Sequence, residues 1–161
     1  MQEVLESELN DLLGYWDCMR ENKQMPARAD IDPLNIPRLL PHLALIETAE
    51  SLGDFRYRLY GTEVCRGFGH DRTGVRLDDL KEDVDNYEEV YSGYWGVYVD
   101  KVPNYFYGKI VSLAKRYKRY SRLLLPLSSD DEHVDIILCG FIFFAKALDR
   151  GVRGTTDFQS R

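Results

Sequence analysis

Leu5, Leu9, Leu12, Trp16 and Met19 recur at helical spacing with Glu, Asp and Asn between them, which predicts an amphipathic helix over about residues 2–22. In "IDPLNIPRLLPHL" Asp32 and Pro33 have the form of an N-cap and first helical position. Pro37 and Pro41 then hold any helix there to a short turn, because each lacks an N–H and constrains the residue before it. A strand comes next, over about 42–49. After the polar turn "ESLGD", residues 55–60 alternate: Phe55, Tyr57 and Leu59 fall on one face, and Arg56, Arg58 and Tyr60 on the other. That is the period-two mark of a half-buried antiparallel strand, paired with its predecessor as a hairpin.

A short helix is expected at 62–68 with Thr62 as its N-cap, then a loop with one helical turn near residues 77–80. A long helix over about 85–100 carries Tyr87, Val90, Tyr91, Tyr94, Trp95 and Tyr98 as an aromatic stripe. Three strands complete the chain, from about 104, 119 and 133. The last contains the apolar run "IILCGFIFFA", which belongs in the middle of a sheet. The order predicts an α+β domain: a five-stranded antiparallel sheet with helices on one face and an N-terminal amphipathic helix. Residues 1–27 read as that helix and a linker, 28–148 as the domain, and 149–161 as a disordered tail without apolar periodicity.

A chain of 161 residues buries enough surface to need no staple of disulfides or metal. Its net charge of −6 disfavours general binding to nucleic acid or anionic membrane. Cys18, Cys65 and Cys139 are odd in number, widely separated and outside any C-x-x-C pair, which suits reduced thiols in a cytoplasmic protein. The N-terminus is acidic where a secretion signal is basic and apolar, and the longest apolar run is about half of the roughly 20 residues needed to span a bilayer.

Four blocks, "RADIDPLNIPRLLPHLALIE", "DFRYRLYGT", "GHDRTGVRL" and "RLLLPLSSDDEHVDIILCG", together resemble the bacterial PAS-like family found mainly in α-proteobacteria, over about residues 28–145. The chain departs from that pattern at Ser121, where the family often has an acidic residue, and at "SSDDEH", where it often has a turn glycine. The resemblance implies a PAS fold and a sensory or regulatory role, in some cases with a small ligand between sheet and helices.

The residues narrow the chemistry. A flavin photosensor of this class has an Asn-Cys-Arg run with glutamine nearby; Val64-Cys65-Arg66 keeps the thiol without those partners, so Cys65 reads as a small structural hydrophobe. A haem-binding PAS draws its axial histidine from the long helix, and the helix at 85–100 has none. His42, His70 and His133 are not spaced as ligands, so no metal site is expected. No cofactor is specified. The candidate cavity residues are Tyr57, Phe68, Tyr91, Trp95 and Tyr105, whose rings can line a pocket and place hydroxyls on a ligand; the competing reading of the stripe is a core face. The run "KRYKRYSR", Lys115 to Arg122, reads as a solvated strand end, with nucleic-acid binding disfavoured by the net charge. Phosphate loops and nucleophile or zinc-protease motifs are absent from the sequence, so no catalytic residue and no enzymatic activity are expected. Leu5, Leu9, Leu12 and Trp16 need an apolar surface to cover, and a homodimer through them is one way to supply it. The expected function is a non-enzymatic sensory domain signalling through a separate protein; the alternative is an interaction or dimerisation module with no ligand.

Overall fold

A computed structural model of the chain describes residues 3–48, 54–84, 86–109 and 119–144. The N-terminal apolar stripe forms α1 (Ser7–Arg20), shorter at both ends than its periodicity predicts. The proline-punctuated segment becomes three single 3₁₀ turns, Arg28–Asp30, Pro33–Asn35 and Leu40–His42. Asp32 caps the second: its Oδ1 accepts the Leu34 N–H at 3.0 Å, with Pro33 at the position where a missing N–H costs nothing. Then come β1 (Leu43–Thr48), β2 (Phe55–Tyr60), α2 (Thr62–Phe68), a 3₁₀ turn at Leu77–Leu80, α3 (Tyr87–Asp100), β3 (Asn104–Lys109), β4 (Arg119–Leu127) and β5 (Ile136–Phe144). Thr62 proves to be the first helical residue of α2; the cap position is Gly61, and no side chain bonds there.

The strands form one antiparallel sheet in the order β2-β1-β5-β4-β3, with the apolar run of β5 at its centre. Alternate residues of β5 define its two faces. Cys139 meets Tyr94 of α3 and Phe143 meets α2 at Gly67, so α2 and α3 cover one face. Gly140 points the other way, toward α1: a Cβ there would lie 2.8 Å from Leu12 Cδ2 and 2.9 Å from Leu9 Cδ2. The sheet is thus buried on both sides, which accounts for the unbroken burial of β4 from Tyr120 to Leu127.

In β2 the register departs from simple alternation. Leu45 pairs with Leu59 but Ile46 pairs with Tyr57, so Arg58 is the extra residue of a β-bulge. The bulge exchanges the faces of Leu59 and Tyr60. Tyr60 turns inward, with its ring 5.0 Å from that of Tyr57, and Leu59 is exposed, the opposite of the assignment that strict period two gives.

Between β4 and β5, Asp131 takes φ 62°, the left-handed conformation that favours glycine. Its carboxylate repays the strain by accepting the Gln24 and Met25 N–H groups at 2.9 and 3.0 Å, which ties this turn to the end of α1. The turn at 49–53, residues 110–118 with most of the basic run, and the tail at 149–161 lie outside the described residues. No described helix is long and apolar enough to cross a membrane.

Candidate functional site

Between the inner face of the sheet and α2 and α3 lies an interior space of about 40 Å³. Aromatic side chains build about half of its wall. The Tyr57 and Tyr94 hydroxyls share a hydrogen bond at 2.9 Å, and Cys139 Sγ lies 4.0 Å from the Tyr94 hydroxyl. Phe68 packs edge-on against Tyr120 and Phe141, at 5.5 and 5.3 Å between centroids. Burial pushes the pKa of Tyr57, Tyr60, Tyr94 and Tyr120 upward, so these hydroxyls stay neutral across the physiological range.

Arg122 is the unusual member of the wall. It is 2% exposed, and its guanidinium lies between the rings of Tyr94 and Phe106, with Cζ 5.1 Å from each centroid. Nε and Nη1 are buried with no hydrogen-bond partner; the Tyr60 hydroxyl is buried too, with Arg72 as its polar neighbour. Cation–π contact offsets part of the desolvation of the charge, on the order of 2 kcal/mol for a desolvated pair. It does not satisfy the N–H groups, and an uncompensated buried ion costs several kcal/mol. Arg72 and Lys109 also line the space, and no Asp or Glu is among its described lining residues.

Of the sequence candidates, Tyr57 and Phe68 line this space, and Tyr91, Trp95 and Tyr105 do not. Tyr91 and Trp95 stack on each other along the flank of α3, 6.4 Å apart and 12° from parallel. Tyr91 also meets Phe55 edge-on. Tyr105 lies on the α1 side of the sheet, donating to Glu6 Oε1 at 2.7 Å and meeting Ser121 Oγ at 3.2 Å. The aromatic stripe therefore divides between core and flank, and Tyr87 and Tyr94 enter both the core and the cavity wall. Tyr60, Tyr94 and Arg122 are site residues that the sequence does not single out. In the sequence Tyr120 and Arg122 sit within a run of cations that reads as solvated; the structure buries both, because the strand is covered on either side.

Of the residues expected at a dimer contact, Leu9, Leu12 and Trp16 are already buried against the chain's own sheet, and Leu5 is 54% exposed. The apolar surface that the helix required is supplied within one chain.

All three cysteines are free. Burial raises the pKa of half-buried Cys65, and that of fully buried Cys139 is pushed up to about 12, which disfavours the reactive thiolate in both. Mapping iodoacetamide adducts by mass should find exposed Cys18 modified first and Cys139 only after denaturation. Cys65 reacting as fast as Cys18 would contradict the structural role assigned to it. Asp130, Glu132 and His133 group on an exposed turn, but Asp130 is occupied: Oδ1 accepts the Glu132 and His133 N–H groups, each at 2.8 Å, and Oδ2 bonds the imidazole. Those bonds hold its carboxyl well below the usual range and raise the pKa of His133, as a self-contained turn motif does.

A family model described as a PAS domain matches residues 5–142. Among solved structures, the PAS domain from Bordetella pertussis BvgS is 14% identical, with a TM-score of 0.49 over 80% of this chain and all of that one. The PAS domain of histidine kinase ThkA is 16% identical, with a TM-score of 0.43 over 62% of this chain and 96% of that one. No curated protein matches.

Proposed function

The chain belongs to the PAS domain family, and from that premise we propose that it is a non-enzymatic sensory or regulatory module whose interior cavity binds a small molecule and whose state is read by a separate partner protein. The observation that supports this is the polar wall of the cavity: buried Arg122 has two unpartnered nitrogens, and the buried Tyr60 hydroxyl lines the same space. A purely structural core has no use for such groups, since each costs free energy unless something bonds it. The space of about 40 Å³ is far below the roughly 300–1,000 Å³ of a drug-sized ligand site, so the ligand is a few atoms rather than a flavin or haem. The wall offers tyrosines held neutral and three cations, and among its described residues no nucleophile stands beside a base, which supports binding rather than catalysis. A reducing, cytoplasmic setting is part of the proposal, supported by three cysteines that form no disulfide.

The test is a set of ¹H–¹⁵N correlation spectra recorded against a library of metabolites of up to about six non-hydrogen atoms. Saturable shifts confined to the amides of Tyr57, Tyr60, Tyr94 and Arg122 are expected for at least one compound. Silence across the library would remove the ligand from the reading.

A second reading, an interaction or dimerisation module without a ligand, has its own supporting observation. The outer face of the sheet leaves an apolar groove of about 480 Å³ between β1, β2 and the 3₁₀ turns, with exposed Leu40 and Leu59 at its edge. On that reading a homodimer forms through this groove rather than through α1. Light scattering would then give twice the monomer mass for the wild type and the monomer mass for Leu59→Asp.

A further inference from the structure

Resting on the reading of the cavity as a ligand site, we propose that its ligand is a small planar oxyanion of three or four non-hydrogen atoms, a short carboxylate, bicarbonate or nitrate, with Arg122 as its counter-charge. Charge and size carry this together. A guanidinium does not deprotonate in a protein, so Arg122 remains a cation at 2% exposure, where ordinary burial would have neutralised a lysine or a carboxylate. The rings of Tyr94 and Phe106 cover it, and Nε and Nη1 find no acceptor among the described residues. Arg72 and Lys109 add positive charge to the same wall, and no carboxylate is among its described lining residues. The missing group is therefore an acceptor carrying negative charge.

Size limits the identity of that acceptor. A space of about 40 Å³ holds about three or four waters at roughly 10–15 Å³ each, which is the bulk of formate, acetate, bicarbonate or nitrate. Phosphate esters and dicarboxylates exceed it. The Tyr60 hydroxyl, turned inward by the β2 bulge, lines the same space.

The experiment is calorimetric titration and thermal denaturation of the full chain with sodium formate, acetate, bicarbonate and nitrate. Ionic strength is held with gluconate, whose anion is too large for the space, and acetamide serves as the uncharged isostere of acetate. At least one planar oxyanion is expected to bind saturably and raise the melting temperature, with acetamide inert. Arg122→Met keeps the apolar stem and removes the charge. Gly93→Ala places a Cβ against Arg122 Nη2 and displaces the guanidinium. Each should weaken binding by about tenfold or more, the loss of one charge-assisted hydrogen bond. If neither variant folds, the Arg122 Nε–H resonance of the wild-type protein must shift on titration with the bound oxyanion and with no other anion.

Failure of every oxyanion, or undiminished binding in both folded variants, would overturn the assignment. Binding of acetamide alone would overturn the anion while leaving the sensory reading in place. Silence across the wider metabolite library would remove both.

Discussion

Trp16→Ala is expected to cost the fold about 3–5 kcal/mol, the usual range for emptying a buried tryptophan site. The side chain is 4% exposed, and its Nε1–H donates to the Pro126 carbonyl at 2.9 Å across 110 residues of chain. Truncation opens a cavity between α1 and the sheet and also leaves that carbonyl without its donor, so the loss belongs at the upper end. For a chain of this size the melting temperature should fall on the order of 10 °C. Urea denaturation and a thermal scan measure it directly. The same experiment separates two roles for α1. If the helix covers its own sheet, as Leu9 and Leu12 packed at Gly140 indicate, the loss is independent of protein concentration. A loss that vanished at high concentration would assign Trp16 to a contact between chains, and a cost under about 1 kcal/mol would mean that α1 is not docked at all.

That the helix exists is plain from its apolar spacing; where it packs is not. Leu9, Leu12 and Trp16 need an apolar surface, and periodicity is silent on whether that surface is the same chain or another. The deciding signal is present in β4, where "LLLPL" is apolar on both faces and so asks for a cover on each side of the sheet. The same signal locates Arg122. Alternation puts it on one face with Tyr120 and Leu124, and in a strand covered on both sides that face is interior. Taken as part of a run of cations, it looks solvated. Tyr60 is hidden for another reason: the Arg58 bulge breaks period two, and a bulge leaves no sequence mark when neither glycine nor proline sits in it. The split of Tyr91, Trp95 and Tyr105 away from the cavity is not legible either. A stripe of rings along α3 is wider than the space it faces, and Tyr105 belongs to the opposite side of the sheet. Fold class, element order and the central place of β5 come from patterns one element long. The site depends on which faces of several elements meet, and three of its five expected residues fall elsewhere for that reason.

The joint that delivers Tyr60 to the cavity yields the second large effect. Gly61→Ala is expected to destabilise the protein by about 3 kcal/mol, the upper end for overpacking. The backbone conformation is not the obstacle: φ −66° and ψ 161° suit any residue. Space is. A Cβ at this position would press on the Pro41 carbonyl oxygen and lie 2.8 Å from those of both Leu40 and Leu43. These are backbone atoms of the 3₁₀ turn at Leu40–His42 and the start of β1, and they cannot swing aside as a side chain does. The Gly61 N–H also donates to Leu43 O at 2.8 Å, so relieving the contact pulls apart the bond that holds the end of β2 against the start of β1. Gly14→Ala is the control: it sits in α1 with nothing near its added Cβ, and should gain roughly 0.5–1 kcal/mol from helix propensity alone. A thermal scan of the two variants beside the wild type therefore should show shifts of opposite sign. A Gly61→Ala protein that melted with the wild type would mean that the turn at Leu40–His42 yields freely. The position of the Tyr60 hydroxyl in the cavity wall would then rest on the β2 bulge alone.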